Sequence, residues 1–161
     1  LVQMGPDFQP GELPALVDFL GRVPKDLKVA IEFRHRGWIT EGVLALLREH
    51  NIALALSDGR WIPRRLMISL AARPTADFAY IRWMGPNRDI VDYTRVQVDR
   101  SYEIELWSQA ISELSEKVAH VYGYVANTFS GHSPATAREF QNRLGQTPVD
   151  PDLLGEQMSL F

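Results

Sequence analysis

Apolar positions in this 161-residue chain switch repeatedly between short, near-continuous runs and a spacing of three and four, a pattern that predicts strands alternating with helices. Residues 1–4 read as the tail of an apolar strand closed by a Gly5-Pro6 turn. Residues 12–20 place Leu13, Leu16, Val17 and Leu20 on one helical face, with Gly21 positioned to cap the end. Residues 28–33 predict a strand, and residues 40–50 a helix that turns Val43, Leu44 and Leu47 to one side. Residues 52–57 form a near-continuous apolar run ending at Asp58, as suits a parallel strand covered on both faces. Residues 59–77 read as irregular and basic, residues 78–83 as a strand, and residues 84–100 as a long polar connection. The strongest helical period runs over residues 102–118, through Ile104, Trp107, Ile111, Leu114 and Val118. A last strand is predicted at residues 119–126. The closing helix has Ser133 as N-cap, Pro134 as its first residue, Phe140 and Leu144 on its buried face and Gly145 just past its end.

Repeated strand–helix alternation implies an α/β fold with a parallel sheet. Periodicity alone leaves open a small doubly wound sheet or part of a (β/α)8 barrel. No apolar run approaches the roughly 20 residues that span a bilayer, so no membrane partner is expected. The chain has no cysteine, which removes disulfides, thiolate metal sites and a Cys nucleophile, and fits a cytoplasmic setting.

The formal net charge of −3 conceals an uneven distribution. Residues 1–59 carry 6 basic and 8 acidic side chains, residues 60–100 carry 8 and 4, and residues 101–161 carry 3 and 8. All the cations of the middle third are arginine, whose planar fork suits carboxylate and phosphate. An anionic ligand, a small molecule or nucleic acid, is one reading; a general preference for Arg over Lys, 14 to 3, is the other.

Alternation within each predicted strand sorts its side chains into faces. Ala30, Glu32 and Arg34 share one, while Val29, Ile31 and Phe33 share the other and would pack against helices. Asp58 continues the face of Leu54 and Leu56, Arg82 that of Tyr80, and Asn127 that of Val121, Gly123 and Val125. Every strand thus ends in a polar group, and the carboxyl ends of parallel strands are where α/β proteins bind ligands. Glu32, His35 and Asp58 are the candidate catalytic residues, and Arg34, Trp38, Arg82 and Asn127 the candidate substrate contacts. Each has a structural alternative: Glu32 and Arg34 could form an interior ion network with Arg82, His35 could be scaffold, Asp58 could cap a turn, Asn127 could bridge backbone, and Trp38, Trp61 and Trp83 could be core rather than stacking surfaces. A divalent metal would draw on Glu32, His35 and Asp58, although no tight ligand motif is present. Phosphate-cradling glycine loops and nucleophile elbows are absent.

Three separated motifs, VAIEFRHRGW (29–38), YIRWMGPNR (80–88) and VYGYVANTFSGHSPATAREF (121–140), together resemble the domain of unknown function 72 family, the YecE-like proteins. That resemblance implies a TIM barrel of which residues 1–145 form roughly the carboxyl-terminal half, strands five to eight with the end of strand four, followed by a tail at residues 146–161. It implies a fragment, since such a half cannot close a barrel alone. It also carries over Glu32, Arg34, His35 and Trp38 from the first motif, Asp58 from the next strand, Arg82 and Gly85 from the third and Asn127 from the last, with no agreed activity attached. Met84 stands where many members have His, and Ala126 where many have Asn. The terminal Gln157-Met158-Ser159-Leu160-Phe161 resembles the peptide by which bacterial DNA-handling proteins dock on the sliding clamp, with Gln157, Leu160 and Phe161 as the contacts.

The combined expectation is binding or hydrolysis of an anionic phosphoester in nucleic-acid metabolism. In that scheme Arg34 and Arg82 hold phosphate, Glu32 and Asp58 act as base or metal ligands, and His35 transfers a proton. An enzyme acting on a small sugar or sugar phosphate, and a non-catalytic adaptor docking through its tail, are the alternatives.

Overall fold

The computed structural model describes residues 1–86 and 89–150. Five parallel strands, β1 (Val2–Gln3), β2 (Ala30–Glu32), β3 (Ala53–Asp58), β4 (Phe78–Trp83) and β5 (His120–Val125), pair strictly in chain order. Between them run α1 (Leu13–Arg22), α2 (Glu41–Glu49), α3 (Arg64–Ala71) and α4 (Ser101–Ser115); α5 (Asn127–Ser130) and α6 (Ser133–Arg143) follow β5. Chain-order pairing separates barrel from doubly wound sheet, because the latter reverses its strand order at a switch point. This is half of a (β/α)8 barrel.

The two faces of the sheet are built differently. On the helix side Ile31, Phe33, Leu54, Leu56, Ile81 and Trp83 form one buried cluster with Leu16 and Leu20 of α1, Leu44 and Leu47 of α2, Met67 of α3 and Ile104, Trp107 and Leu114 of α4. On the other face, the barrel interior, Ala30, Ala53, Ala55 and Phe78 cluster with Tyr80 against them. Small side chains on β2 and β3 face the aromatic ones of β4 and β5, where Tyr80 stacks on Tyr124 at 4.9 Å and Phe78 meets Tyr122 edge-on at 6.1 Å.

The helices depart from expectation where local chemistry overrides periodicity. The first begins with a single 3-10 turn at Pro10–Glu12 and runs through Gly21 to Arg22, with Val23 as its C-cap. Thr40 caps α2, its hydroxyl accepting from the Val43 amide at 3.4 Å. The stretch read as irregular contains α3, whose Met67, Leu70 and Ala71 are buried at helical spacing behind two exposed or half-buried arginines. His132, not Ser133, is the N-cap of α6, and α5 is a short helix with no counterpart in the sequence reading. No helix among the described residues is long and apolar enough to cross a membrane.

Candidate functional site

Alternation along β2 and β4 brings Glu32 and Arg82 to the interior face at the carboxyl ends of their strands. Glu32 is 3% exposed, and its Oε2 accepts a 2.5 Å hydrogen bond from Arg82 Nη1. The same Nη1 donates to Gln3 Oε1 of β1 at 3.0 Å, so one guanidinium ties the side chains of three strands. Glu32 Oε1 lies 3.5 Å from Arg34 Nε, in ion-pair range but not hydrogen bonded; among the described residues that buried Nε has no hydrogen-bond partner. Burial foremost, then the neighbouring Tyr124 and the charge of Glu32, push the Tyr80 hydroxyl above its ordinary range, while Arg82 pulls the other way; the phenol beside this pair stays protonated.

Above Glu32 lies a recess of about 180 Å³ lined by Glu32, Arg34, Arg60, Trp61 and the backbone turns around Gly59 and Gly85. Its floor is fixed by backbone bonds: the amides of Met84 and Gly85 donate to the Asp58 carbonyl at 2.8 and 3.0 Å, and Thr128 Oγ1 donates to the Met84 carbonyl at 2.6 Å. Gly85 has φ +68°, and a Cβ there would stand 2.5 Å from the Thr128 carbonyl oxygen, so only glycine fits. Among the described residues the recess is thus lined by one carboxylate, Glu32, and two guanidiniums, those of Arg34 and Arg60, with Arg82 bonded to the same carboxylate beside it. The local formal charge is +2.

Four of the sequence candidates lie elsewhere. Asp58 is 2% exposed on the helix side of β3, where its Oδ2 accepts from Trp107 Nε1 at 2.8 Å and from Arg64 Nε at 2.5 Å. Arg64 reaches on to Glu103 at 3.3 Å, and Glu103 to Arg100 at 3.0 Å, a chain of charges that pins α3 and α4 to the sheet. Hydrogen bonding and the charges of Asp58 and Glu103 outweigh burial and raise the Arg64 pKa. Glu32 and Asp58 therefore point to opposite faces and cannot share an ion. Among the described residues no three His, Asp or Glu side chains converge as a metal would require.

Trp38 is 1% exposed, stacked between Phe8 and Phe33 at 4.8 and 5.1 Å, with its Nε1 donating to the Phe8 carbonyl at 2.7 Å; it belongs to the core. His35 Nδ1 accepts from the Gly37 amide at 3.1 Å and caps a 3-10 turn at Arg36–Trp38, outside the recess. Asn127 begins α5, and its Oδ1 accepts from the Ser133 amide at 2.8 Å, leaving the neighbouring Thr128 to line the recess. Gln157, Leu160 and Phe161 lie outside the described residues.

Arg60 and Trp61 are the contributions that the sequence reading did not assign. Both sit in the loop from Asp58 to α3, and residue type alone leaves Trp61 open as core or as a stacking surface. The available signal was an aromatic between Arg60 and the Arg64-Arg65 pair directly after a strand's carboxyl end.

The family model described as "Protein of unknown function DUF72" matches residues 1–157. The chain belongs to the DUF72 family. A DUF72 family protein from Thermotoga maritima is 24% identical over 89% of this chain and 56% of its own, with a TM-score of 0.69. One from Enterococcus faecalis is 20% identical over 90% and 60%, with a TM-score of 0.70. The chain therefore spans a little over half the length of these DUF72 structures, which establishes a partial barrel and leaves activity open. Among curated proteins, none matches.

Proposed function

We propose that this half-barrel holds a phosphate ester in the recess above Glu32 and acts on it as a hydrolase in nucleic-acid metabolism. The observation that carries the reading is the surplus of guanidinium over carboxylate: Arg82 holds Glu32 through Oε2 and Arg34 is only ion-paired to it, so Arg34, whose Nε has no hydrogen-bond partner among the described residues, and Arg60 are left to bind an anion. In this reading Arg34 and Arg60 take the phosphate, while Arg82 serves as a positioning residue that fixes the Glu32 carboxylate. Glu32 then orients or deprotonates the attacking water, whose oxygen bonds to phosphorus as the ester P–O bond breaks and the leaving alkoxide takes its proton from solvent. The absence of cysteine suits a reducing, cytoplasmic setting for such work.

A chromogenic phosphodiester, offered with and without divalent cations, tests the catalytic half of this reading. Turnover that falls by about a hundredfold or more in Glu32→Gln supports Glu32 as the general base. Absence of turnover under every cation condition, or full turnover in Glu32→Gln, would contradict it.

A further inference from the structure

We propose that the recess takes a nucleotide unit, with the base stacked on the indole of Trp61 and the phosphate held by Arg34 and Arg60. This rests on the phosphoester reading and specifies its substrate class. The chain has four tryptophans, of which Trp38, Trp83 and Trp107 are 3% exposed or less; Trp61 is 38% exposed. Its loop is anchored before Trp61 by Asp58 at the buried end of β3 and after it by Ile62, which is 2% exposed, and Pro63, the N-cap of α3. The indole is therefore a large apolar surface held in place beside charge, as a stacking platform requires.

The two arginines are arranged around that ring. Arg60 packs on it at 4.3 Å from the centroid, and Arg34 stands off at 5.7 Å. A guanidinium lying over an indole keeps the N–H groups of its edge free, so stacking on Trp61 and binding phosphate are compatible for Arg60. The charges and the ring together match a ligand that carries a planar group and an anion a short distance apart. A sugar also stacks on indole, but its hydroxyls call for free carboxylate or amide groups. Among the described residues the recess is lined by a single carboxylate, Glu32, which the proposed reaction engages with water, against the two guanidiniums of Arg34 and Arg60, so the lining favours an anion over a sugar's hydroxyls. The recess, about 180 Å³, is also smaller than the ~300 Å³ at which enclosed small-molecule pockets begin. It suits one unit of a ligand whose remainder lies outside.

Anisotropy of three fluorescein-labelled probes tests this with the full chain: a single-stranded oligothymidylate, an abasic oligomer of equal length with the same phosphates, and thymidine monophosphate. Trp61→Ala, Arg34→Ala and Arg60→Ala are measured alongside, with melting curves to confirm folding. The oligothymidylate should bind at least about tenfold more tightly than the abasic oligomer, and Trp61→Ala should remove that difference. The arginine variants should weaken both. Equal affinity for the monophosphate and the oligomer would point to a free nucleotide as the source, and preference for the oligomer to a strand; both support the nucleotide unit. Equal binding of abasic and base-bearing oligomers would overturn the stacking proposal while the phosphoester reading stands. Failure of every probe to bind would overturn both.

Discussion

Glu32 and Asp58 are carboxylates at the ends of adjacent strands, almost equally buried, and a single step of strand alternation separates their roles. Glu32 falls in phase with Ala30 on the interior face, whereas Asp58 falls in phase with Leu54 and Leu56 on the helix side. Removing Asp58 would leave the buried Trp107 N–H without its acceptor and the half-buried Arg64 guanidinium with Glu103 alone. Asp58→Ala should therefore cost about 3–5 kcal/mol in urea unfolding, while Arg60→Ala, at an exposed position, should stay within about 0.5 kcal/mol. Sequence alternation already put Asp58 on the Leu54 and Leu56 face. What it could not supply was which face of β3 met the helices, because Ala53, Leu54, Ala55 and Leu56 are all buried. The β2 assignment succeeded because Ile31 and Phe33 are bulky and Ala30 small. For Trp38, residue type could not separate a core ring from a stacking one; only the flanking Phe8 and Phe33 rings do that.

At the scale of elements, the strands were legible because β3 and β4 are long and apolar, whereas their order of pairing is left open by periodicity and follows only from the family resemblance. The helix α3 was not, because its first turn carries Arg64 and Arg65, which read as loop until Met67, Leu70 and Ala71 are seen to be buried behind them. The turn after β4 depends on a conformation no pattern reveals. Gly85→Ala places a methyl against the Thr128 carbonyl at positive φ, and should cost about 1–3 kcal/mol, with loss of recess binding beyond the fall in stability. The start of α4 adds a pH dependence. Asp99 accepts from the hydroxyl and amide of Ser101, and those bonds hold its carboxyl below the usual range against a small opposing effect of burial. A depressed folded-state pKa means that this contribution is present above the ordinary Asp pKa and disappears as pH falls through the lowered one. Stability curves of the wild type and Asp99→Ala should differ at neutral pH and converge as pH falls below the ordinary Asp range. A constant gap across that range would place the role of Asp99 outside its charge.

Across the whole molecule, the carboxyl ends of the strands gather the recess and its arginine surplus, while at the opposite ends the Asp77 carboxylate pairs with Asn51 and the Thr75 hydroxyl bridges backbone. There Thr75 Oγ1 accepts from the Leu54 amide at 2.7 Å and donates to the Ile52 carbonyl at 2.8 Å. The acidic chain thus presents a cationic site at the end where barrels bind ligands. The uneven charge of residues 60–100 was visible in the sequence; that Arg64, Arg82 and Arg100 are committed to carboxylates, leaving Arg60 and the half-satisfied Arg34 to the recess, required side-chain partners. Salt dependence of single-stranded oligonucleotide binding measures that surplus most directly. For the full chain, log affinity should fall linearly with log salt concentration, and Arg34→Ala and Arg60→Ala should each reduce the slope by about one. Slopes unchanged by both substitutions, or affinity indifferent to salt, would contradict a phosphate site in this recess.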